Sequence, residues 1–444
     1  MRILLLAHGL PPDSVGGVEQ HVDGLGRALV AAGHDVEICA REGTAGLAQG
    51  TFRTTRDGNP RVTRVAYRWE QVHDLTTMYT SPPMATALRT FLQARAAAGV
   101  RFDVAHVHHL TGMSTDSLAE LAAARVPTVM TLHDYWLFCP RGQMFHHREE
   151  LCTTASLDRC TPCLQATFPA WVNAQNGHAE VGSVHARALR TLAMPAVLVV
   201  PSSRAIPPFT ALGVPADRFV VVENGVDTDR LLRLPPPGVG PGPLRVGYLG
   251  TVMPSKGLHV LLDAVQRLPA GAVSLRIFGN VVPYHGDYSY ATKCFARLQP
   301  GGDVHYRGPY GLDELPTILE GIDVLAAPAL WHEAFGLTVR EALAAARPVL
   351  VSRVGGLQDA VIDGAQGRLL PPGDVDAWSD ALRELAANPR EVLRLSRSAR
   401  SRARGFDAMA ADLVAVYATA RQRQGGQEAP GETHAEPDSA RRRS

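Results

Sequence analysis

Two glutamates with seven residues between them, Glu333 and Glu341, bracket a point where an apolar run gives way to a helical pattern. Val324–Ala327 reads as a buried strand, and a helix should start near Phe335–Gly336. Free backbone N–H groups at such a start can hold an anion such as phosphate. Glu341, about two turns on, could accept hydrogen bonds from vicinal hydroxyls such as a ribose pair, and Glu333 from hydroxyls nearer a reacting centre. A second loop, Gly250–Gly257, also follows an apolar run and carries Lys256 ahead of a helix bearing Leu258, Leu261, Leu262 and Val265. An ammonium there acts as a point charge for phosphate. Only Lys256 and Lys293 are lysines among the 44 basic side chains, so lysine is not this chain's default cation. Taken singly, the two glutamates read as solvated carboxylates and Lys256 as a surface lysine. Their combination is what points to a site.

These side chains need elements to position them, and the sequence supplies two alternating series. The first has strand runs at Ile3–Ala7, Val36–Ala40, Val104–Val107, Thr128–Leu132 and Val197–Pro201. Between its first two runs, Val18, Val22, Leu25 and Leu29 mark one face of a helix. The second series has runs at Leu244–Leu249, Ser274–Phe278, Val304–Tyr306, Val324–Ala327 and Pro348–Val351. Such alternation implies parallel sheets covered by helices. The Pro/Gly-rich stretch Asp227–Pro243 separates them as a linker. The expected organisation is a first domain over 1–226, a linker over 227–243 and a second domain over 244–405. A helix over 406–423 should pack back on the first domain, and 424–444 reads as a disordered tail. Two such domains form a cleft facing the carboxyl ends of both sheets, where ligands bind.

The composition fits that picture. The chain has 444 residues, 45% of them apolar, and a formal charge of +1, so nothing in its overall charge favours nucleic acid. No apolar run approaches the ~18–20 residues of a membrane helix, and the first residues read as a strand running into a loop. That points to the cytoplasm, and hence to cysteines that are thiols or metal ligands in preference to disulfides.

With these pieces in order, the chain resembles the retaining glycosyltransferases of family 4, whose GT-B architecture is α/β: two Rossmann-like, doubly wound parallel-sheet domains facing a central cleft. The resemblance covers about residues 1–420. It rests on Gly16-Gly17-Val18-Glu19, Gly250–Gly257 with its embedded Lys256, Glu333–Glu341 and Pro348-Val-Leu350, and also on Glu223–Asp227, Val354-Gly-Gly356, Gly364–Gly367 and Leu370–Asp374. It implies sugar transfer from a nucleotide diphosphate to an acceptor hydroxyl with retention at the anomeric carbon. The acceptor would be a glycan, glycolipid or small molecule, with no nucleic acid involved. By the same resemblance Gly16 and Gly17 let the first loop approach the donor phosphates, and Lys256 binds the diphosphate. Glu333 and the backbone at Ala334, Phe335, Gly336 and Leu337 hold the transferred sugar and distal phosphate. Glu341 binds the ribose, and His133, in Thr131-Leu-His-Asp134, sits near the reacting sugar. Thr251 departs from the family pattern, in which many members carry arginine, and so removes one expected phosphate cation. Bacterial polysaccharide or glycolipid assembly, in the cytoplasm or at the inner face of the membrane, is a family-level expectation.

Several competing signals stand beside this. Asp227-Thr-Asp229 and Asp374-Val-Asp376 match a short metal-binding pattern, but one lies at the linker and the other fits a helix cap. No catalytic metal is therefore expected. Cys139, Cys152, Cys160 and Cys163 fall within 25 residues and could form a structural zinc site, a disulfide or free thiols. They mark an insertion at about 135–190, with His146 and His147 as spare ligands better read as surface histidines. Arg141, Arg148, Arg159, Arg187 and Arg190, with Trp136 and Trp171, suit either a lipid-linked acceptor in peripheral contact with a membrane or a solvated basic surface. His106, His108 and His109 read as structural or cleft-lining. Glycines 238, 240 and 242 precede a strand instead of following one, which disfavours a dinucleotide-binding dehydrogenase. A sugar-nucleotide epimerase of the same fold, a phosphorylase, and a non-catalytic nucleotide- or glycan-binding partner of another transferase remain as alternatives. Neither lysine has a pyridoxal context, which weighs against the phosphorylase.

Overall fold

The computed structural model describes residues 1–43, 46–238, 240–298 and 302–426. Its first eight strands are β1 Arg2–Ala7, β2 Asp35–Glu42, β3 Phe52–Arg56, β4 Arg61–Ala66, β5 Val104–Val107, β6 Thr128–Thr131, β7 Val197–Val200 and β8 Phe219–Val221. The next six are β9 Leu244–Leu249, β10 Val273–Phe278, β11 Val304–Gly308, β12 Val324–Ala327, β13 Val349–Ser352 and β14 Gly367–Leu370. The first sheet runs β3-β4-β2-β1-β5-β6-β7-β8 and the second β11-β10-β9-β12-β13-β14. Every pairing is parallel except β3 with β4. Strands β5, β6, β7 and β13 are buried at every position, as parallel strands covered on both faces must be. This is the two-domain GT-B arrangement.

The polypeptide crosses between the domains twice, and the crossings pack on each other. Val226 N–H donates to Arg404 O at 2.9 Å, and a Cβ on Gly225 would lie 2.6 Å from Gly405 O. The stretch expected as a linker contains a short helix, Thr228–Leu231, capped by the Asp227 carboxylate. After the second crossing, the helix Phe406–Gly426 lies against the Gly17–Ala31 helix. It runs three residues further than the expected start of a tail, whose remaining positions, 427–444, lie outside the described residues. The Phe406 ring occupies the space a Cβ on Gly24 would need, and Met409, Leu413 and Tyr417 join the first domain's core. Tyr417 OH is 2.8 Å from His106 Nδ1, and His106 Nε2 is 2.7 Å from Thr131 Oγ1. His106, fully buried in β5, is thus a structural histidine. Tyr417→Phe should cost about 1–3 kcal/mol in urea denaturation, because the Nδ1 partner is lost where water cannot replace it.

Between β6 and β7 lie two helices, Leu157–Thr167 and Gly177–Ala193, the second leading into β7. Trp136 is buried in the first domain's core, and Trp171 stacks on Phe168. Trp136 therefore faces no lipid.

Candidate active site

Each sheet reverses its strand order at its first strand in sequence. β1 lies between β2 and β5, and β9 between β10 and β12. The crevices beyond the carboxyl ends at such points are where ligands bind in doubly wound sheets. The loops leaving β1, β9 and β12 are 8–16, 250–257 and 328–336, the same stretches the sequence singles out.

In the second domain the last two loops are pinned together. Leu330 N–H donates to Ser255 O at 2.8 Å, and Gly257, at φ 69°, lies so close to Pro328 O that a Cβ would sit 1.9 Å away. This brings Lys256 Nζ to 2.6 Å from Glu333 Oε2, which also accepts from Trp331 Nε1 at 3.0 Å. The ammonium lies 5.0 Å from the Trp331 ring centroid. Behind Glu333, Gly356 N–H donates to its carbonyl at 2.6 Å, and Gly355 leaves no room for a Cβ. Gly336, at φ 78°, caps the helix Leu337–Ala344, and Ala334 and Phe335 just before it are buried. Thr251 is half-buried, its carbonyl accepting from Tyr248 OH. Arg340, passed over in the sequence because it sits in mid-helix, stacks on Phe335 at 3.6 Å and donates to Phe335 O.

The first domain supplies the opposite wall. Gly16 caps the helix Gly17–Ala31, and a Cβ placed on Gly17 would be 4.0 Å from Leu337 Cδ2, so two helix starts face each other across the cleft. Glu19 is 6% exposed and accepts from Ser14 Oγ at 2.5 Å, with His8 Nε2 at 3.3 Å. Burial alone would raise its pKa, but the His8 and Ser14 contacts outweigh it and bring the carboxyl to about 2. This anion braces the glycine loop. His133 Nε2 lies 3.2 Å from His108 Nδ1, with the His21 ring 4.8 Å away. Burial first, then the neighbouring histidines, hold His133 well below 6.5, so at neutral pH it is an uncharged hydrogen-bonding group. The sequence offered His106 and His108 as one face, and their rings do lie 4.0 Å apart.

Glu341 is 7% exposed and has no ion-pair or hydrogen-bond partner for its carboxylate among the described residues. It borders a cavity of 150 Å³ shared with Gln20 and Arg27 of the first domain and with Asp227 and Leu312. Burial, then the charge of Asp227, pushes its pKa from the ordinary 4.5 up to about 7. The folded protein therefore keeps this proton to higher pH than the unfolded chain does. The associated stability is present below pH 4.5 and is lost as pH rises through 7, by at most roughly 3 kcal/mol. Glu341→Gln should flatten that part of the urea-midpoint profile between pH 5 and 8.

Comparison with known proteins decides the family. The model described as Glycosyltransferase Family 4 matches residues 15–230, and the one described as Glycosyl transferases group 1 matches 236–402. The MMP alpha-(1->4)-mannosyltransferase of Mycolicibacterium hassiacum is 30% identical over 439 residues, covering 94% of this chain and 98% of the relative. The chain is a family 4 glycosyltransferase. A glycogen synthase of Mycobacterium tuberculosis is 28% identical over 99% of this glycosyltransferase and 100% of the relative. Sucrose-phosphate synthase from Thermosynechococcus elongatus superposes with TM-score 0.69 at 20% identity, covering 94% and 98% of the two chains. HepE of Anabaena, solved with UDP and glucose, gives 0.65 at 16% identity over 94% and 100%. Membership makes this an enzyme that transfers sugar from a nucleotide-sugar donor.

Other expected sites of the glycosyltransferase are placed as follows. Asp374 caps the helix Val375–Ala387 and Asp376 pairs with Arg267, so both acids of that pattern have structural partners. The four cysteines line one small cavity of 30 Å³ together with His146 and Arg159. No disulfide joins these four, and burial pushes Cys139 up to about 11 and Cys160 up to about 12. The tightest set of ligand atoms there is Cys163 with His146 and His147, all within 4.8 Å of one another. His146 is 6% exposed, so it is not the surface histidine its sequence neighbours suggested. The same segment reaches the second domain, where Phe145 is buried with Leu249, Ala329 and Trp331, and Arg141 donates to Tyr284 OH at 3.0 Å. Beside Arg141 a cavity of 490 Å³ opens between the domains, lined also by His147, Pro254, Tyr290 and Lys293. No helix among the described residues is long and apolar enough to cross a membrane.

Proposed function

We propose that the enzyme transfers a sugar with retention from a nucleotide-diphosphate sugar to an acceptor hydroxyl, with the donor lying between the two helix starts. Lys256 and the N–H groups at Ala334–Leu337 meet the diphosphate, Gly16 and Gly17 close on it from the first domain, and Glu341 accepts from the ribose hydroxyls. Glu333 holds the transferred sugar, with uncharged His133 opposite. The 2.6 Å approach of Lys256 to Glu333, at the meeting of the β9 and β12 loops, carries this reading. Cleavage builds negative charge on the leaving diphosphate, where an ammonium and fixed N–H dipoles act most strongly. Glu333 is already engaged by Lys256 and Trp331, and Asp134 by Trp136 N–H and His109, so neither is a free nucleophile. This favours reaction on the same face of the sugar, assisted by the leaving phosphate.

The 490 Å³ cavity gives the acceptor, whether soluble or lipid-linked, room beside the donor. A lipid-linked acceptor would bring exposed Arg148 and Arg190 to a membrane face in the cytoplasm. The cysteine-lined cavity takes a structural zinc ion, which suits thiolates and imidazoles, and transfer needs no catalytic metal.

UDP-glucose is the first donor to try, since HepE has been solved with UDP and glucose. Turnover of a nucleotide-sugar panel, followed by NMR, should show one donor releasing its nucleoside diphosphate, a product of unchanged anomeric configuration, and a rate indifferent to added Mg²⁺ or Mn²⁺. An inverted product would overturn the mechanism. Donor epimerised without acceptor, or bound but never turned over, would replace it with the epimerase or the non-catalytic partner.

A further inference from the structure

The donor-side loop 328–336 is held from the opposite domain, and the contacts come from the cysteine-bearing segment. His332 directly precedes Glu333. Its Nε2 lies 2.9 Å from the carbonyl oxygen of Cys152, one of the four clustered cysteines. A carbonyl only accepts, so Nε2 must carry the proton, and burial keeps this ring in the neutral form that offers such a tautomer. The Tyr135 ring sits edge-on to His332 at 6.3 Å. Nearby, Phe145 plugs into the cluster containing Trp331, and Gln143 Nε2 lies 3.3 Å from Met253 Sδ in the Lys256 loop. The segment thus grips both loops that carry the Lys256–Glu333 pair. Its own fold around Cys152 is a short turn in which Cys152 N–H donates to Met144 O, His146 N–H donates to Glu150 O, Arg159 donates to Leu151 O, and Phe145 pairs with Leu151 in an isolated bridge. A metal ion held by Cys163 with His146 and His147, whose ligand atoms lie within 4.8 Å of one another, would fix that turn more firmly.

We propose that His332 is a positioning residue that ties the Glu333 loop to the cysteine-bearing segment, so that filling or stripping a metal site at Cys163, His146 and His147 tightens or loosens the donor site across the cleft. This rests on the metal and donor readings above. It gives the segment a role at the donor site: the hydrogen bond fixes the loop backbone one residue before Glu333, and the metal-held turn fixes the carbonyl that receives it.

Hydrogen–deuterium exchange on the full chain reads this without knowledge of the donor. His332→Leu should raise exchange across 328–337 at least tenfold and leave the 244–249 strand unchanged. His332→Gln, whose amide places a donor near the Nε2 position, should restore protection. Zinc content should be one per chain and fall in Cys160→Ser/Cys163→Ser, and zinc removal should loosen the same peptide with no further effect in His332→Leu. With a donor in hand, the same variants should raise its KM, with rescue by His332→Gln. Unchanged exchange in His332→Leu, or equal loosening in His332→Gln, overturns the proposal. Zinc-free protein whose loop responds to His332→Leu would keep the tie and remove the metal's part in it. Failure of the donor reading shows separately, as no protection of 250–257 by any nucleoside diphosphate.

Discussion

Lys256→Met is expected to lower turnover by about 10²–10³-fold, the scale seen when one group aimed at developing charge is removed. The side chain is 28% exposed and sits against the Trp331 ring, so methionine fills the same space and the fold should survive, with an unchanged urea midpoint. What disappears is the positive charge beside the leaving diphosphate, and with Thr251 in place of the family's arginine no other side chain of that loop replaces it. Donor affinity should fall as well, by roughly 1.5–3 kcal/mol for a charge-assisted bond, which calorimetry reads directly. Lys256→Arg separates charge from shape. A guanidinium keeps the charge but presents a planar fork where Glu333 now meets a single ammonium, so an intermediate loss is expected. Turnover unaffected by Lys256→Met would mean that the diphosphate lies elsewhere.

The parts of this site legible in the sequence were those written as short local patterns. Glycine pairs, Lys256 and Glu333 sit in loops that leave buried apolar strands, with Glu341 in the helix that follows, and such strands read clearly because both faces are covered. β5 and β12 have the bounds their apolar runs suggest. The illegible strands were of another kind. β3 is polar and almost wholly exposed, β8 has three residues, and β4 carries two arginines, one of them buried where its guanidinium donates to Leu10 O and Pro11 O. No periodicity announces an edge strand or a buried cation satisfied by distant carbonyls. The same limit hid the residues that shape the site from afar. His332 is unremarkable until Cys152, 180 positions away, offers its carbonyl. Phe145 looks like a first-domain core residue until it is found among second-domain side chains. Glu341 gave its position but not its protonation, which depends on the packing of Leu312, Phe406 and the first domain around it.

Gly257→Ala should be the most damaging single change outside the charged pair. At φ 69° an L-residue is strained, and the added Cβ would fall 1.9 Å from Pro328 O, a backbone atom that cannot swing aside. Relief requires the β9 and β12 loops to part, which breaks the Leu330 N–H to Ser255 O bond and draws Lys256 away from Glu333. Stability should fall by about 2–4 kcal/mol, the range for backbone strain combined with overpacking. Donor affinity should fall at least tenfold even in the folded fraction. The other glycine of the same motif makes the control. At Gly250 a Cβ meets only the Tyr248 ring, at 3.8–3.9 Å, in ordinary contact, so Gly250→Ala should change the urea midpoint little. The two glycines are equivalent in the sequence pattern and unequal in the folded chain, because only the second lies where two donor-side loops touch. Equal tolerance at both positions would show that the loops are not clamped together, and the Lys256–Glu333 approach would lose its structural cause.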